Sequence, residues 1–331
     1  MSQLTKLRVL KWPTIAYEVQ KNLLSRARGR RGGLRAITAI GAMLDPPQQR
    51  VAQSRTAFEA FLRHGDLDRQ DVEGLRVLEL GPGEDLGVAL RFLAGGASKV
   101  SCIDRFSFRV DPGWQREVYR RLLHDLGDMG ADRLSAVVRP NGEIRVDPTR
   151  LEIVSGAGIE AGAERLENGA FDLIVSVAVL EHVYDLAAAM RAMDVLLAPG
   201  GLMVHQVDLG DHGMFSNGGR HPLEFLTIGE RVYRLMTSHT GAPNRERINT
   251  YRELLRRLGH EASVLVTNVG GAEDLNPYQE QVLPGRELDP GLLASIERLR
   301  KRLAPRFREL PSEELATTGI LIRSRKPVPI S

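Results

Sequence analysis

Apolar residues along this chain follow two rhythms. Short apolar runs bounded by Gly, Pro or Asp read as strands, and stretches with apolar residues three and four apart read as helices. From residue 75 the two alternate. Strands are predicted over 75–80, over 99–104 ("KVSCID"), over 171–179 ("FDLIVSVAV") and along "LMVHQVDL". Helices are predicted between them along "GVALRFLAGG", "PGWQREVYRRLLHDLGDMG" and "LAAAMRAMDVLLAPGG", the last stopping at Pro199-Gly200-Gly201. The stretch "NGEIRVDPTRLEIVSG" is either a hairpin-like excursion or a short strand entering the sheet near 151–154. A helix in "TYRELLRRLG", a strand in "EASVLVTNV", a helix in "PGLLASIERLRKRLA" and a strand in "LATTGILIRSRKP" close the chain. This alternation is that of an α/β sheet with helices on both faces.

The front end differs. Residues 1–70 show helical spacing in "IAYEVQKNLLSRAR", "LRAITAIGAML" and "QQRVAQSRTAFEAFLRHG", closed by Gly29, Asp45-Pro46-Pro47 and Gly65. A polar linker, "DLDRQDVEG", joins this extension to a main domain over 71–331. Residues 209–248 interrupt the strand rhythm with many glycines and one helical stretch, "LTIGERVYRLMTSH", and read as an inserted lid.

Charge adds an asymmetry. Nine of the 45 Lys and Arg residues fall within residues 1–35, against one acid there, Glu18, so the remainder is slightly acidic. The basic arm suits a phospholipid surface, a nucleic acid or a phosphorylated carrier, or it is a solvated helical face. The single cysteine, Cys102, permits no internal disulfide, and no long apolar run suggests a membrane span or signal peptide. A cytoplasmic location is expected, and oligomeric state is not legible.

The chemistry begins at "VLELGPGEDLG". Gly81 and Gly83 permit a tight turn and close ligand approach at the carboxyl end of the first strand, where open α/β sheets bind ligands. Glu79 places a carboxylate in that strand, and Leu86 stands where a dinucleotide fold would need its third glycine. An acid there opposes pyrophosphate and suits a cationic cofactor such as S-adenosylmethionine. Asp104, ending the second strand, suits the ribose hydroxyls of either cofactor class. Glu79 has a structural alternative as a buried ion-pair or helix-cap acceptor.

Glu79-Leu80-Gly81-Pro82-Gly83, Asp104, Phe171 to Ser176, Leu180-Glu181-His182-Val183, Asp185 and Leu197 to Gly201 together resemble a class I S-adenosylmethionine-dependent methyltransferase. The resemblance implies a Rossmann-like seven-stranded sheet of order 3-2-1-4-5-7-6 with its last strand antiparallel. By likeness, Gly81 and Gly83 would border the methionine portion and Glu79 would face its amine. Asp104 would take the ribose, Arg105 or Phe106 the adenine edge, and Ile159 and Glu160 the adenine. Val177 to His182 would line the sulfonium side. The family's third glycine is replaced by Asp85.

Methyl transfer to a hydroxyl needs alignment, water exclusion and a base or metal. His182, Asp211 and His212 are the candidate catalytic residues. Asp208, Asp211 and His212 form a candidate Mg²⁺ cluster, or alternatively a capped loop. His205 reads as a core histidine. The segment from Asp211-His212 through Phe225–Met236 to Asn244-Arg245 resembles bacterial methyltransferases of polysaccharide or secondary-metabolite pathways. It implies a small-molecule or glycan acceptor, most simply a hydroxyl oxygen. The alternative, an RNA methyltransferase using the basic arm, is disfavoured by an aromatic content of only 5% and by the absence of a base-amine motif after the fourth strand. A non-catalytic relative conflicts with the intact Glu79, Gly81, Gly83 and Asp104 set. A dehydrogenase conflicts with Glu79 and Leu86.

Overall fold

A computed structural model describes residues 11–29, 45–106, 111–270, 274–282 and 288–329. The predicted helix "LRAITAIGAML" and residues 1–10 and 30–35 of the basic arm lie outside these residues.

Seven strands form one sheet: β1 (Arg76–Leu80), β2 (Lys99–Asp104), β3 (Leu151–Ser155), β4 (Phe171–Val177), β5 (Leu197–Asp208), β6 (Glu261–Val269) and β7 (Thr317–Arg325). Their order is β3-β2-β1-β4-β5-β7-β6, with β7 antiparallel to both neighbours. The ambiguous stretch enters the sheet as β3, parallel to β2. Period-two alternation divides the core. Leu78 and Leu80 of β1 pack on one face, and Val77 packs on the other.

On the Val77 face pack α2 (Pro47–Gly65), α3 (Gly87–Gly95) and α4 (Pro112–Leu134), the first helix, α1 (Lys11–Gly29), lying elsewhere. Phe58 of α2 meets Phe92 of α3 edge-on at 5.0 Å. Helix α2 thus belongs to the sheet's own packing. The opposite face carries the short α5 (Ile159–Gly162), then α6 (Leu186–Leu196), α7 (Glu230–Thr237), α8 (Ile248–Leu258) and α9 (Pro290–Arg300). Two short helices, α10 (Pro305–Arg308) and α11 (Ser312–Ala316), lead into β7.

Helix α1 (Lys11–Gly29) docks on the insertion. Asn22 donates to the Leu235 carbonyl at 2.9 Å and accepts from the His239 amide at 2.6 Å. Lys11 bonds Thr227, and Ile15 joins the core. Two predicted boundaries shift. The sixth helix ends at Leu196, because Leu197 is extended and "LAPGG" enters the sheet as the start of β5, with a register irregularity opposite Phe171–Leu173. The stretch "LTIGERVYRLMTSH" is broken at Gly229, so a 3₁₀ turn over Pro222–Thr227 precedes α7.

The insertion is tied down by buried arginines. Arg247 is 2% exposed and donates to the carbonyls of Leu209, Glu314, Leu315 and Thr317. It thereby joins the segment after β5 to the start of β7. Arg245 donates to Ile228 at 2.6 Å and lies over the Tyr233 ring at 3.7 Å.

Candidate active site

The carboxyl ends of β1, β2 and β4 open onto a cavity of about 400 Å³ that includes Gly81, Gly83, Asp104, Ile159 and Val177 in its wall. That volume falls in the ordinary range of small-ligand pockets, about 300–1,000 Å³. Gly81 has φ +64°, and a Cβ there would lie 2.5 Å from Val179, so only glycine completes the turn. Asp85, in place of a third glycine, accepts from the Gly87 amide at 2.7 Å and pairs with Arg50 at 2.6 Å. Its carboxylate organises the turn that a third glycine would otherwise allow.

Glu79 lies on the α3 side of β1 and is 5% exposed. It is bonded to the Ala89 backbone, while its Oε2 is buried without a partner. Burial, then Asp85 and Asp104, raise its pKa to about 8. A cationic ligand group would offset that cost. Asp104 accepts from the Phe106 amide at 2.7 Å through Oδ1. Burial raises its pKa to about 6. Both features fit a ligand with an ammonium and a ribose diol.

Arg105 and Glu160 also border the cavity but face one another. Glu160 pairs with Arg105 and accepts from the Tyr184 amide at 3.1 Å. Arg105 lies over the Tyr184 ring at 3.7 Å and donates to the His182 carbonyl. This pair locks the wall together, and Glu160 holds Arg105 in place.

A second cavity, about 520 Å³, lies between α1 and the loop after β5, with Tyr17, Glu18 and Lys21 on one side and Met214 and Asn217 on the other. The two cavities share His182, His212 and Gly241. Here the three candidate catalytic residues part. His182 and His212 meet edge to face, with centroids 4.7 Å apart. Burial, then His212, lowers the His182 pKa to about 4, so its ring is neutral at pH 7. Asp211 turns away. Its carboxylate accepts from the amides of Gly213, Phe215 and Ser216 and from the Ser216 hydroxyl, at 2.7–3.0 Å. Those bonds make it the staple of its loop.

Asp208, Asp211 and His212 do not converge as a cluster. Glu181, His182 and His212 do, each offering a ligand atom within 4.8 Å of the others. Glu181 is 1% exposed, and burial raises its pKa to about 8. From the sequence, Glu181 is expected only as part of the Val177–His182 stretch along the sulfonium side, not as a member of a cluster with His212. Its signal was a charge in an otherwise apolar "VAVLEHV". His205 is fully buried and bonded to Ser176 at 2.8 Å, a core histidine as expected.

Residues 48–262 match the sequence model of a family described as a methyltransferase domain, which spans more than half of the chain. The chain therefore belongs to the methyltransferase domain family, and it is an S-adenosylmethionine-dependent methyltransferase. No curated protein matches it in sequence. Among solved structures it is similar to an S-adenosylmethionine-dependent methyltransferase from Mesorhizobium loti, at 17% identity and TM-score 0.42, covering 82% of this chain and 100% of that one. It is also similar to phosphoethanolamine N-methyltransferase 2 from Haemonchus contortus, at 14% identity and TM-score 0.41, covering 83% and 52%. A third is an arsenic(III) methyltransferase from Chlamydomonas reinhardtii, at 19% identity and TM-score 0.39, covering 83% and 74%.

Proposed function

We propose that the enzyme methylates a hydroxyl oxygen of a small-molecule or glycan acceptor that enters through the second cavity. The observation that carries this reading is the seam between the two cavities at His182, His212 and Gly241. A donor methyl in the first cavity and an acceptor in the second would meet there.

S-adenosylmethionine, when bound, would supply an electrophilic methyl: as the acceptor oxygen takes it, the sulfur–carbon electron pair would return to sulfur and the hydroxyl proton would pass to water at the mouth of the second cavity or to a free ring nitrogen of His182 or His212. The chain's own residues do the rest. Glu79 and the glycine turn receive the amino-acid portion, and Asp104 receives the ribose. The loop stapled by Asp211, together with α1 and α7, walls the acceptor cavity and excludes water, which favours transfer over hydrolysis. Glu18 and Lys21 offer polar recognition of a hydroxylated acceptor. Biosynthesis of a polysaccharide or secondary metabolite is the setting this reading fits, and the basic arm would bring the enzyme to an anionic lipid or phosphorylated carrier.

The test is a screen of sugars, phenolic metabolites and RNA with cofactor labelled in its methyl group. Label in an alkali-stable ether on a sugar or phenol is the expected product. Label carried only by RNA would replace this reading with the nucleic-acid one.

A further inference from the structure

We propose that Glu181, His182 and His212 bind one divalent first-row transition metal at the seam between the cavities, where it would hold the acceptor's oxygen. The inference rests on the acceptor reading above only for the metal's role; the site itself stands on geometry.

The donors face one another without bonding. His212 Nε2 is 3.9 Å from Glu181 Oε1, beyond hydrogen-bond reach. Two bonds of about 2.0–2.2 Å to a shared ion would span that gap. Glu181 Oε2 and His182 Nδ1 are both buried and lack any hydrogen-bond partner. Leaving such groups unsatisfied is costly, most of all for a carboxylate, and a bound cation removes the cost. Among the described residues the ion pairing of Glu181 is with His212, so no Lys or Arg neutralises it there.

Surrounding groups orient the donors as metal sites require. The Asp208 amide donates to Glu181 Oε1 at 3.3 Å. The Asp208 carboxylate lies 3.5 Å from His212 Nε2 and is half exposed, beside the opening. Three protein donors leave coordination positions for water or an acceptor oxygen. Two imidazoles with one carboxylate favour Fe²⁺, Co²⁺ or Zn²⁺ over Mg²⁺, which prefers oxygen donors and keeps its waters. A hydroxyl bound to such an ion loses its proton more readily, which would answer the need for an activated acceptor.

The test uses the tag-free full-length protein, stripped with chelator and titrated with Co²⁺ while visible ligand-field absorption is followed. One equivalent should bind, Zn²⁺ should displace it, and Mg²⁺ should not. His212→Ala and Glu181→Gln should each weaken Co²⁺ binding at least tenfold while the circular dichroism spectrum stays that of the wild type. Because Glu181 is buried and its variant is at risk of misfolding, a second measurement uses the wild-type chain. Zn²⁺ should protect His182 and His212 from diethyl pyrocarbonate, read by peptide mass spectrometry. Absent ligand-field bands, displacement by Mg²⁺, unaltered Co²⁺ affinity in His212→Ala, or unprotected histidines would each overturn the site. Metal binding without transfer to any hydroxyl would uphold the site and remove the acceptor reading. Chelator-resistant transfer by a chain that binds no Co²⁺ would overturn the site alone.

Discussion

Asn244 donates its side-chain amide to the Leu180 carbonyl at 2.8 Å, and its backbone amide donates to the Glu181 carbonyl at 2.6 Å. The far end of the insertion thus grips the turn that presents Glu181 and His182. Removing the side chain leaves a half-buried carbonyl short of a partner, a loss of about 1–3 kcal/mol. Asn244→Ala is expected to lower kcat at least tenfold while cofactor affinity changes little, because the proposed cofactor contacts, Glu79 and Asp104, lie on β1 and β2. Steady-state kinetics with calorimetric binding checks this, and an unchanged kcat would free the turn from the insertion's control.

Asp104 should dominate ribose recognition. Asp104→Ala is expected to weaken S-adenosylmethionine by about 2–4 kcal/mol, given roughly 1.5–3 for each hydrogen bond to a charged group. Its pKa of about 6 sets a pH window. As pH falls through that value the carboxylate gains a proton and loses acceptor capacity, so wild-type affinity should drop from pH 7 to pH 5. A variant binding curve that kept the same pH slope would assign the titration elsewhere.

Glu79 trades stability for binding. Its native pKa of about 8 exceeds the ordinary 4.5, so between those values the native chain holds a proton that the unfolded chain releases. Its contribution to stability is therefore full below about pH 4.5 and is lost as pH rises through about 8. Glu79→Gln, which stays neutral, should melt above the cofactor-free wild type at pH 8.5, with the difference shrinking toward pH 5. The same variant should bind S-adenosylmethionine more weakly at pH 8. Thermal melts with and without ligand test both halves.

Asp211 should behave as a structural residue. Asp211→Asn keeps the size of the side chain but weakens the bonds to the Gly213, Phe215 and Ser216 amides. Acceptor KM should rise several-fold and proteolysis within 211–218 should quicken, while the pH–rate profile keeps its shape. Loss of a titrating limb from that profile would instead make Asp211 the base.

Helix α1 should govern the acceptor and leave the cofactor alone. Lys21→Ala and Tyr17→Ala remove groups lining the second cavity and are expected to raise acceptor KM with unchanged cofactor affinity. An effect on cofactor affinity as large as that on KM would show that α1 supports the whole site.

The sheet was legible because its signals are local. Continuous apolar runs such as "DLIVSV" can satisfy themselves only as buried strands, and Gly81 and Gly83 announce the β1 turn before any contact is known. The proposed cofactor residues sit at strand ends, whose position follows from the strands themselves. What the chain does with Glu160, Asp211 and Glu181 was not legible, because Glu160 and Glu181 depend on partners distant in sequence. Glu160 meets Arg105 across two strand ends, and Glu181 meets His212 across β4 and β5. Asp211 differs: its partners are close by, but four of its neighbours' donors turn inward only once the loop is folded. The docking of α1 on the insertion is likewise tertiary, since its apolar stripe and Asn22 announce burial without naming the surface. Pattern along the chain determines which groups end a strand; packing between segments decides which of those groups stay free to act.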